Sequence, residues 1–443
     1  MKARNEKPVV VAGGGLGGLA AALALSRRNF RVLVLEQAQQ FGEIGAGIQL
    51  APNAWHAIDA LGVGALVKKQ AVFIERLLMM DGVTGEPVID VPLDKRFATR
   101  FGNPYAVTHR ADIHGALLDG CRAAGVELRP STRVTGYRQD GSSVLVEVQN
   151  GEGIDAAALI GADGVRSAVR EQIVGDGEPP PTDHICYRAV LKTEEMPKEL
   201  RWAAAVLWAG DNTHIVHYPL RGWKLFNLVA TVIGSGIRSG HNEEAPPSEV
   251  LPLFSHNCAK PMDLMRTPKV FKRWMLRYRE PVPNWTQGRV ALLGDAAHLM
   301  LQYLAQGAAM AMEDAVCLAA CCDAAGGDFE RAFRQYQEMR LVRASRVQLS
   351  ARLVGTVFHV PDDVQRLVRN DIYGKRTAEQ HYDALSWIFD SPDYVRDFKK
   401  GQARPAARGR SRPPSARRTA ASPARARSKG SAARAAPRAR RRP

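Results

Sequence analysis

Cysteine is scarce and unpatterned in this sequence. Its six residues (Cys121, Cys186, Cys258, Cys317, Cys321 and Cys322) include no C-x-x-C pair in a chain of 443. That excludes a disulfide framework, leaves the three on one helix reading as core thiols, and makes a reducing cytoplasm the expected setting. Long apolar runs are lacking as well. The uncharged stretch from Pro8 to Ser26 has 19 residues, but five of them are glycine (Gly13, Gly14, Gly15, Gly17 and Gly18), which fits neither a transmembrane helix nor an export signal. Acidic residues are missing from Lys399 to Pro443, where 16 of the 61 Lys and Arg are gathered. The formal charge of +16 therefore belongs to that tail, and the body balances 45 basic against 45 acidic residues. From Gly401 onward there is also no aromatic or branched aliphatic residue. Residues 399–443 are thus predicted to be a disordered Arg/Ala/Pro tail, a composition that a shifted reading frame in GC-rich DNA also encodes. Without aromatics between the arginines, any nucleic-acid contact by this tail would be incidental, and no specific nucleic-acid partner is expected.

What remains has the 45% hydrophobic and 24% charged makeup of an ordinary globular enzyme. Val9 to Ala12 read as a buried strand, Leu19 to Arg28 as a helix and Arg31 to Glu36 as the next strand. This β-turn-α-β unit opens a Rossmann-type doubly wound α/β fold. Between strand and helix, Gly13-x-Gly15-x-x-Gly18 allows a tight turn, close approach to a pyrophosphate and a helix N-terminus aimed at its charge. Glu36, at the end of the second strand, is placed to accept ribose hydroxyls, and an acid there argues against a 2′-phosphate in this site.

Further along, a helix is predicted over 111–124, strands over 143–148, 156–160 and 290–293, and a long helix over 307–324. From about 179 to 281 the texture turns β-rich, with Pro, Gly and Asn turns. The expected organisation is a discontinuous dinucleotide-binding domain (1–75, 100–178 and 282–350), an inserted β-rich substrate domain (76–99 and 179–281) and a C-terminal helical region (351–398).

Two further elements follow strands: Asp163-Gly164-x-x-Ser167-x-x-Arg170 and Gly294-Asp295-Ala296-Ala297-His298. Taken singly, each reads as a loop, since Asp and Gly are common turn formers. With the glycine fingerprint and in this order, they resemble the FAD-dependent aromatic hydroxylases, the single-component flavoprotein monooxygenases, over residues 8–395. That resemblance implies that the fingerprint and Glu36 hold the ADP half of FAD. Asp163 and Gly164, with Ser167 and Arg170, would serve both FAD and the nicotinamide donor, and Gly294 and Asp295 would meet the pyrophosphate and ribitol. Arg110, in Thr108-His109-Arg110, matches the flavin-contacting arginine.

The segments His214 to Leu220 (HIVHYPL) and His298 to Ala308 (HLMLQYLAQGA) are similar to the 3-hydroxybenzoate 6-hydroxylases within that family. This implies that His214 and Gln302 activate a substrate phenol, that Tyr218 helps hold the substrate, and that Gln306, Gly307 and Ala308, after Ala305, approach the flavin ring. Leu299 stands where members usually carry proline, which predicts a looser loop on the flavin side. The implied chemistry uses bound FAD, with NADH favoured over NADPH as donor and O2 as co-substrate. Reduced FAD forms a C4a-hydroperoxide whose electrophilic oxygen attacks para to the hydroxyl of a small aromatic substrate, and a homodimer is implied. A salicylate-type decarboxylating hydroxylase shares the FAD motifs and remains the rival within the class.

Independently of the resemblance, strand alternation puts His214, Val216 and Tyr218 on one face and His217 on the other. Alone, His214 reads as a structural histidine; with the resemblance, it is expected to be a general base with a pKa near neutral. His217 is expected to be a structural histidine satisfied by a neighbour. Arg188 reads equally as a carboxylate or flavin contact and as an ion-paired strand residue.

Overall fold

A computed structural model describes residues 4–42, 45, 47–238 and 240–399, so the predicted tail beyond Lys399 lies outside the described residues. The all-valine run at the N-terminus does form a strand, Val9–Ala12, in the middle of a six-stranded sheet. It pairs in parallel with Ala158–Gly161 on one side and Val32–Leu35 on the other. Its four residues are fully buried, as expected of a parallel strand covered on both faces. Val290–Leu292 extends the sheet on one side and Glu127–Arg129 on the other. Helix Leu16–Ser26 packs on it beside helix Gly307–Ala324, where Gly17 leaves room: a Cβ there would stand 2.9 Å from Leu293 Cδ2.

The chain leaves this sheet twice to build a second one. Its eight strands run, in spatial order, His241–Ala245, Phe271–Met275, His184–Lys192, Leu225–Ile233, Thr213–Leu220, Ala204–Gly210, Arg76–Asp81 and Pro87–Pro92. The early hairpin 76–92 joins the later strands through the parallel pairing of Arg76–Asp81 with Ala204–Gly210. A separate apolar cluster underlies this sheet, centred on Tyr187, Trp208, Phe226, Phe254 and Phe271.

Helices Phe329–Phe358, Val364–Gly374, Ala378–Phe389 and Asp393–Lys399 complete the described residues. The domain boundary expected between 350 and 351 needs correction, because the first of these helices runs straight through it. Buried Val347, Ala351 and Gly355 continue the inward stripe of that helix at intervals of four. The second helix is inverted in polarity: only Arg369 is buried, while Val364, Leu367, Val368 and Ile372 are exposed. The cause is Asp81, a fully buried carboxylate of the eight-stranded sheet, which draws Arg366 to 2.7 Å and also binds Asn370.

Candidate active site

A cavity of about 650 Å³ lies between the two sheets, within the 300–1,000 Å³ span of cofactor and ligand sites. At one end its walls include Gly15, Arg110, Gly164, Gly294, Asp295, Gln306, Gly307 and Ala308, and at the other His214, Tyr218 and Gln302. The residues expected from sequence therefore converge. Gly13, Gly18, Glu36 and Asp163 do not line the cavity; they shape what does.

Gly13 has φ +103, and a Cβ there would sit 2.3 Å from the Ala162 carbonyl oxygen. A Cβ at Gly18 would meet the Gly13 carbonyl oxygen at 1.9 Å. Both glycines are required by the turn itself. The Glu36 carboxylate accepts the Gly14 N–H at 2.7 Å and the Ala38 N–H at 2.8 Å. It thereby ties the second strand to the glycine turn and still has acceptor capacity for hydroxyls. Asp163 was expected to contact the cofactor, but its carboxylate is turned into its own loop, where it accepts the Ser167 hydroxyl and the Ala168 N–H. Burial pushes its pKa up. Arg170 is likewise a brace, donating to the Ala296 and Ala297 carbonyls at 2.8 and 2.9 Å and pairing with Asp176. It locks this loop to the Gly294-Asp295 turn.

Two helix N-termini open on the cavity. Neither Leu16–Ser26 nor Gly307–Ala324 has a side-chain cap or an acidic residue in its first turn, so no side chain of either first turn offsets the positive end of the dipole. That suits an anionic cofactor bearing a pyrophosphate. The cradle thus fits FAD by its glycine turn, its acid at the strand end and its anion-seeking helix ends. Leading into the second of those helices, Ala305 is held at φ +53, a left-handed conformation unusual for alanine. The looser loop expected from Leu299 is not what its carbonyl shows: it accepts from the Arg279 N–H at 3.2 Å and from Gln348 Nε2 at 3.1 Å.

The floor of the other end is the eight-stranded sheet, and its register explains which side chains meet. His214 stands opposite Thr231, which stands opposite Cys186; in the next row on the same face, Val216 faces Val229 and then Arg188; in the third, Tyr218 faces Asn227. Gln302 comes from the loop above and accepts from Arg188 Nη2 at 2.6 Å.

His214 Nδ1 lies 2.6 Å from His359 Nε2, and its ring meets Tyr303 edge-on at 5.3 Å. His359 caps the C-terminus of helix Phe329–Phe358 and escaped the sequence reading, since no local pattern ties it to a strand 145 residues away. Burial, together with the nearby His359 and His184, pushes the His214 pKa well below the usual histidine value. This corrects the near-neutral expectation: His214 rests as a neutral imidazole. Burial also pushes His359 down, to about 4.

His298 and His217 are scaffolding. His298 is fully buried, 2.6 Å from Asp314 Oδ2, away from the cavity lining. Burial opposes ionisation of Asp314, yet His298 and Arg340 hold its carboxyl down at about 2. His217 stacks on Trp208 at 6.5 Å on the opposite face of the strand, and neither of its ring nitrogens has a hydrogen-bond partner among the described residues. It is structural as expected, but no neighbour satisfies it, and burial pushes it down to about 3. In an unfolded chain it would titrate near 6.5. Its contribution is complete above that pH and is lost as the pH falls below it, because only the unfolded state then takes up the proton. His217→Phe keeps the stack and removes this acid penalty, so wild type should lose about 2 kcal/mol more stability between pH 7.5 and 5 than the variant. Equal losses in thermal melts at the two pH values would contradict the assignment. Cys317, Cys321 and Cys322 are core thiols, as expected, and no group of metal-ligating residues exists among the described residues.

The family model described as "FAD binding domain" matches residues 6–348. The chain is 49% identical over 385 residues to 3-hydroxybenzoate 6-hydroxylase of Polaromonas naphthalenivorans (strain CJ2), covering 87% of this chain and 96% of that protein. The chain belongs to the FAD-dependent aromatic hydroxylases. Against 3-hydroxybenzoate 6-hydroxylase 1 of Aquipseudomonas alcaligenes it is 43% identical over 384 residues, with 86% and 97% covered. Among solved structures, Klebsiella pneumoniae HpxO complexed with FAD and uric acid superposes with a TM-score of 0.77 at 23% identity, covering 87% of this chain and 97% of the other. A salicylate hydroxylase substrate complex gives 0.76 at 24%, covering 91% and 100%. At those identities the likeness shows the hydroxylase fold alone. Among the described residues no helix is long and apolar enough to cross a membrane.

Proposed function

We propose that this flavoprotein hydroxylates 3-hydroxybenzoate para to its hydroxyl, giving gentisate (2,5-dihydroxybenzoate). The observation that carries the reading is the floor of the cavity, where an imidazole and a phenol, His214 and Tyr218, share one strand face below Gln302 and beyond the FAD cradle. Glu36, Arg110, Gly164, Gly294, Asp295 and the Gln306–Ala308 segment would hold FAD, which supplies hydride acceptance from the nicotinamide donor and O2 activation when bound.

The rest falls to the chain. An aromatic ring is attacked by electrophilic oxygen most readily when its phenol is ionised, and a phenol titrates near 10, so a base must take its proton. If Nδ1 of His214 carries hydrogen and donates to His359 Nε2, then Nε2 is left as the acceptor for the phenol proton. His359 thereby fixes the useful tautomer. A resting pKa well below neutral is no obstacle, because the phenolate formed beside the ring favours the imidazolium. Gln302 orients the phenol oxygen, Tyr218 holds the ring, and the apolar walls at Leu77, Ala205 and Leu207 exclude water.

Chromatography of products from 3-hydroxybenzoate, salicylate and 4-hydroxybenzoate, each with O2 and either nicotinamide donor, tests the reading. Gentisate from the first, with NADH giving the higher kcat/KM, is expected. Catechol and CO2 from salicylate as the main reaction would overturn it.

Apolar residues are exposed on helix Val364–Gly374 and also on helix Phe329–Phe358, at Val342 and Leu353, the latter two 76% and 66% exposed. Such a face suits a second copy of this chain, making the enzyme a homodimer. Leu353→Glu with Leu367→Glu should convert a dimer to a monomer in sedimentation experiments; an unchanged dimer would place the contact elsewhere. Six free cysteines suit a cytoplasmic setting.

A further inference from the structure

We infer that Arg188 is the carboxylate-binding residue of this cavity. The inference rests on the phenolic-benzoate reading above and adds the partner of the second substituent.

Arg188 lies on strand His184–Lys192 and points to the cavity side of the sheet, where its guanidinium is among the lining groups. No carboxylate among the described residues pairs with it. Its contacts are the Gln302 amide oxygen at 2.6 Å, a long approach to Cys186 Sγ at 3.4 Å and the Trp274 ring 6.0 Å away. The chain's other deep arginines show the contrast. Arg170 is paired with Asp176, Arg273 with Glu243 and Glu249, and Arg340 with Glu313 and Asp314. A guanidinium held beside Gln302, Cys186 and Trp274 without a counter-ion is costly unless an anion arrives. Its planar fork matches a carboxylate, with which it makes paired charge-assisted hydrogen bonds.

His214 and Arg188 stand on the same face of the sheet, two strands apart. The guanidinium reaches Gln302 and lies beside Cys186, in the row of His214, so a ring between them can present its hydroxyl to His214 and its carboxylate to Arg188.

Binding to the FAD-loaded enzyme, followed by the change in flavin absorbance, tests this without turnover. In Arg188→Gln the Kd for 3-hydroxybenzoate should rise on the order of 10²-fold, the scale of a lost charge-assisted pair. The Kd for the neutral 3-hydroxybenzamide should change by less than about threefold, and Arg188→Lys should recover part of the benzoate affinity. Unchanged benzoate binding in Arg188→Gln, or equal losses for acid and amide, overturns the assignment. Should Arg188→Gln fail to retain FAD, the Lys variant and wild type decide: wild type binding the amide as tightly as the acid overturns it as well. Failure of the functional reading looks different, since wild type would then prefer the carboxylate over the carboxamide yet form no gentisate.

Discussion

Alanine at His214 is expected to cut the hydroxylation step on the order of 10²-fold, the usual scale for a positioned general base. FAD content and the rate of flavin reduction by the nicotinamide donor should stay near wild type, because His214 lies at the substrate end of the cavity and Gly15 and Gly294 at the cofactor end. The oxidising equivalents that no longer reach the ring should appear as hydrogen peroxide, read by a peroxidase-coupled assay. Raising the pH should restore part of the product yield, since a phenol ionised in solution no longer needs the base. Gln302→Ala should show a weaker form of the same uncoupling. His359→Phe is expected to be intermediate and to shift the pH profile. It removes the ring nitrogen 2.6 Å from His214 Nδ1, and with it a neighbour that helps depress the His214 pKa. Normal hydroxylation by His214→Ala would move the base elsewhere. Neither His217, on the opposite strand face, nor His298, engaged by Asp314, could then take over without rearrangement.

Valine at Gly15 is expected to yield a folded but colourless protein. Gly15 is the N-cap of helix Leu16–Ser26 with φ −74 and extended ψ, a conformation that valine adopts without strain. It lines the cavity at the glycine turn expected to meet the pyrophosphate, so a branched side chain there would compete directly with FAD. Far-UV circular dichroism should match wild type while flavin absorbance is lost on gel filtration. Substitution at Gly13 should behave differently, since φ +103 and the 2.3 Å approach to Ala162 make that glycine a requirement of the fold itself. A yellow Gly15→Val protein with full FAD occupancy would remove the glycine turn from the cofactor site.

How much of this was legible in the sequence depended on whether the determining interaction was local. The strand Val9–Ala12, the glycine turn and the helix Gly307–Ala324 follow from an apolar run, from residues without a Cβ and from an uninterrupted helix-forming stretch, and all three were read correctly. The strand face shared by His214 and Tyr218 follows from alternation alone. In contrast, the domain boundary expected at 350 falls inside a helix, because the extent of a helix is set by what it packs on as much as by its own residues. The tail's charge was legible from composition, and its structure lies outside the described residues.

The sequence by itself determined the cofactor class, through three motifs in a fixed order, and the side of the strand on which His214 stands. Tertiary structure alone decided the rest of the site. It placed His359 against His214, turned Asp163 inward, engaged His298 with Asp314 and left Arg188 facing the cavity beside Gln302. The reason is physical. Alternation and turn chemistry act over a few residues, whereas a pKa, a tautomer or a missing counter-ion depends on groups that the fold brings from 114 or 145 residues away.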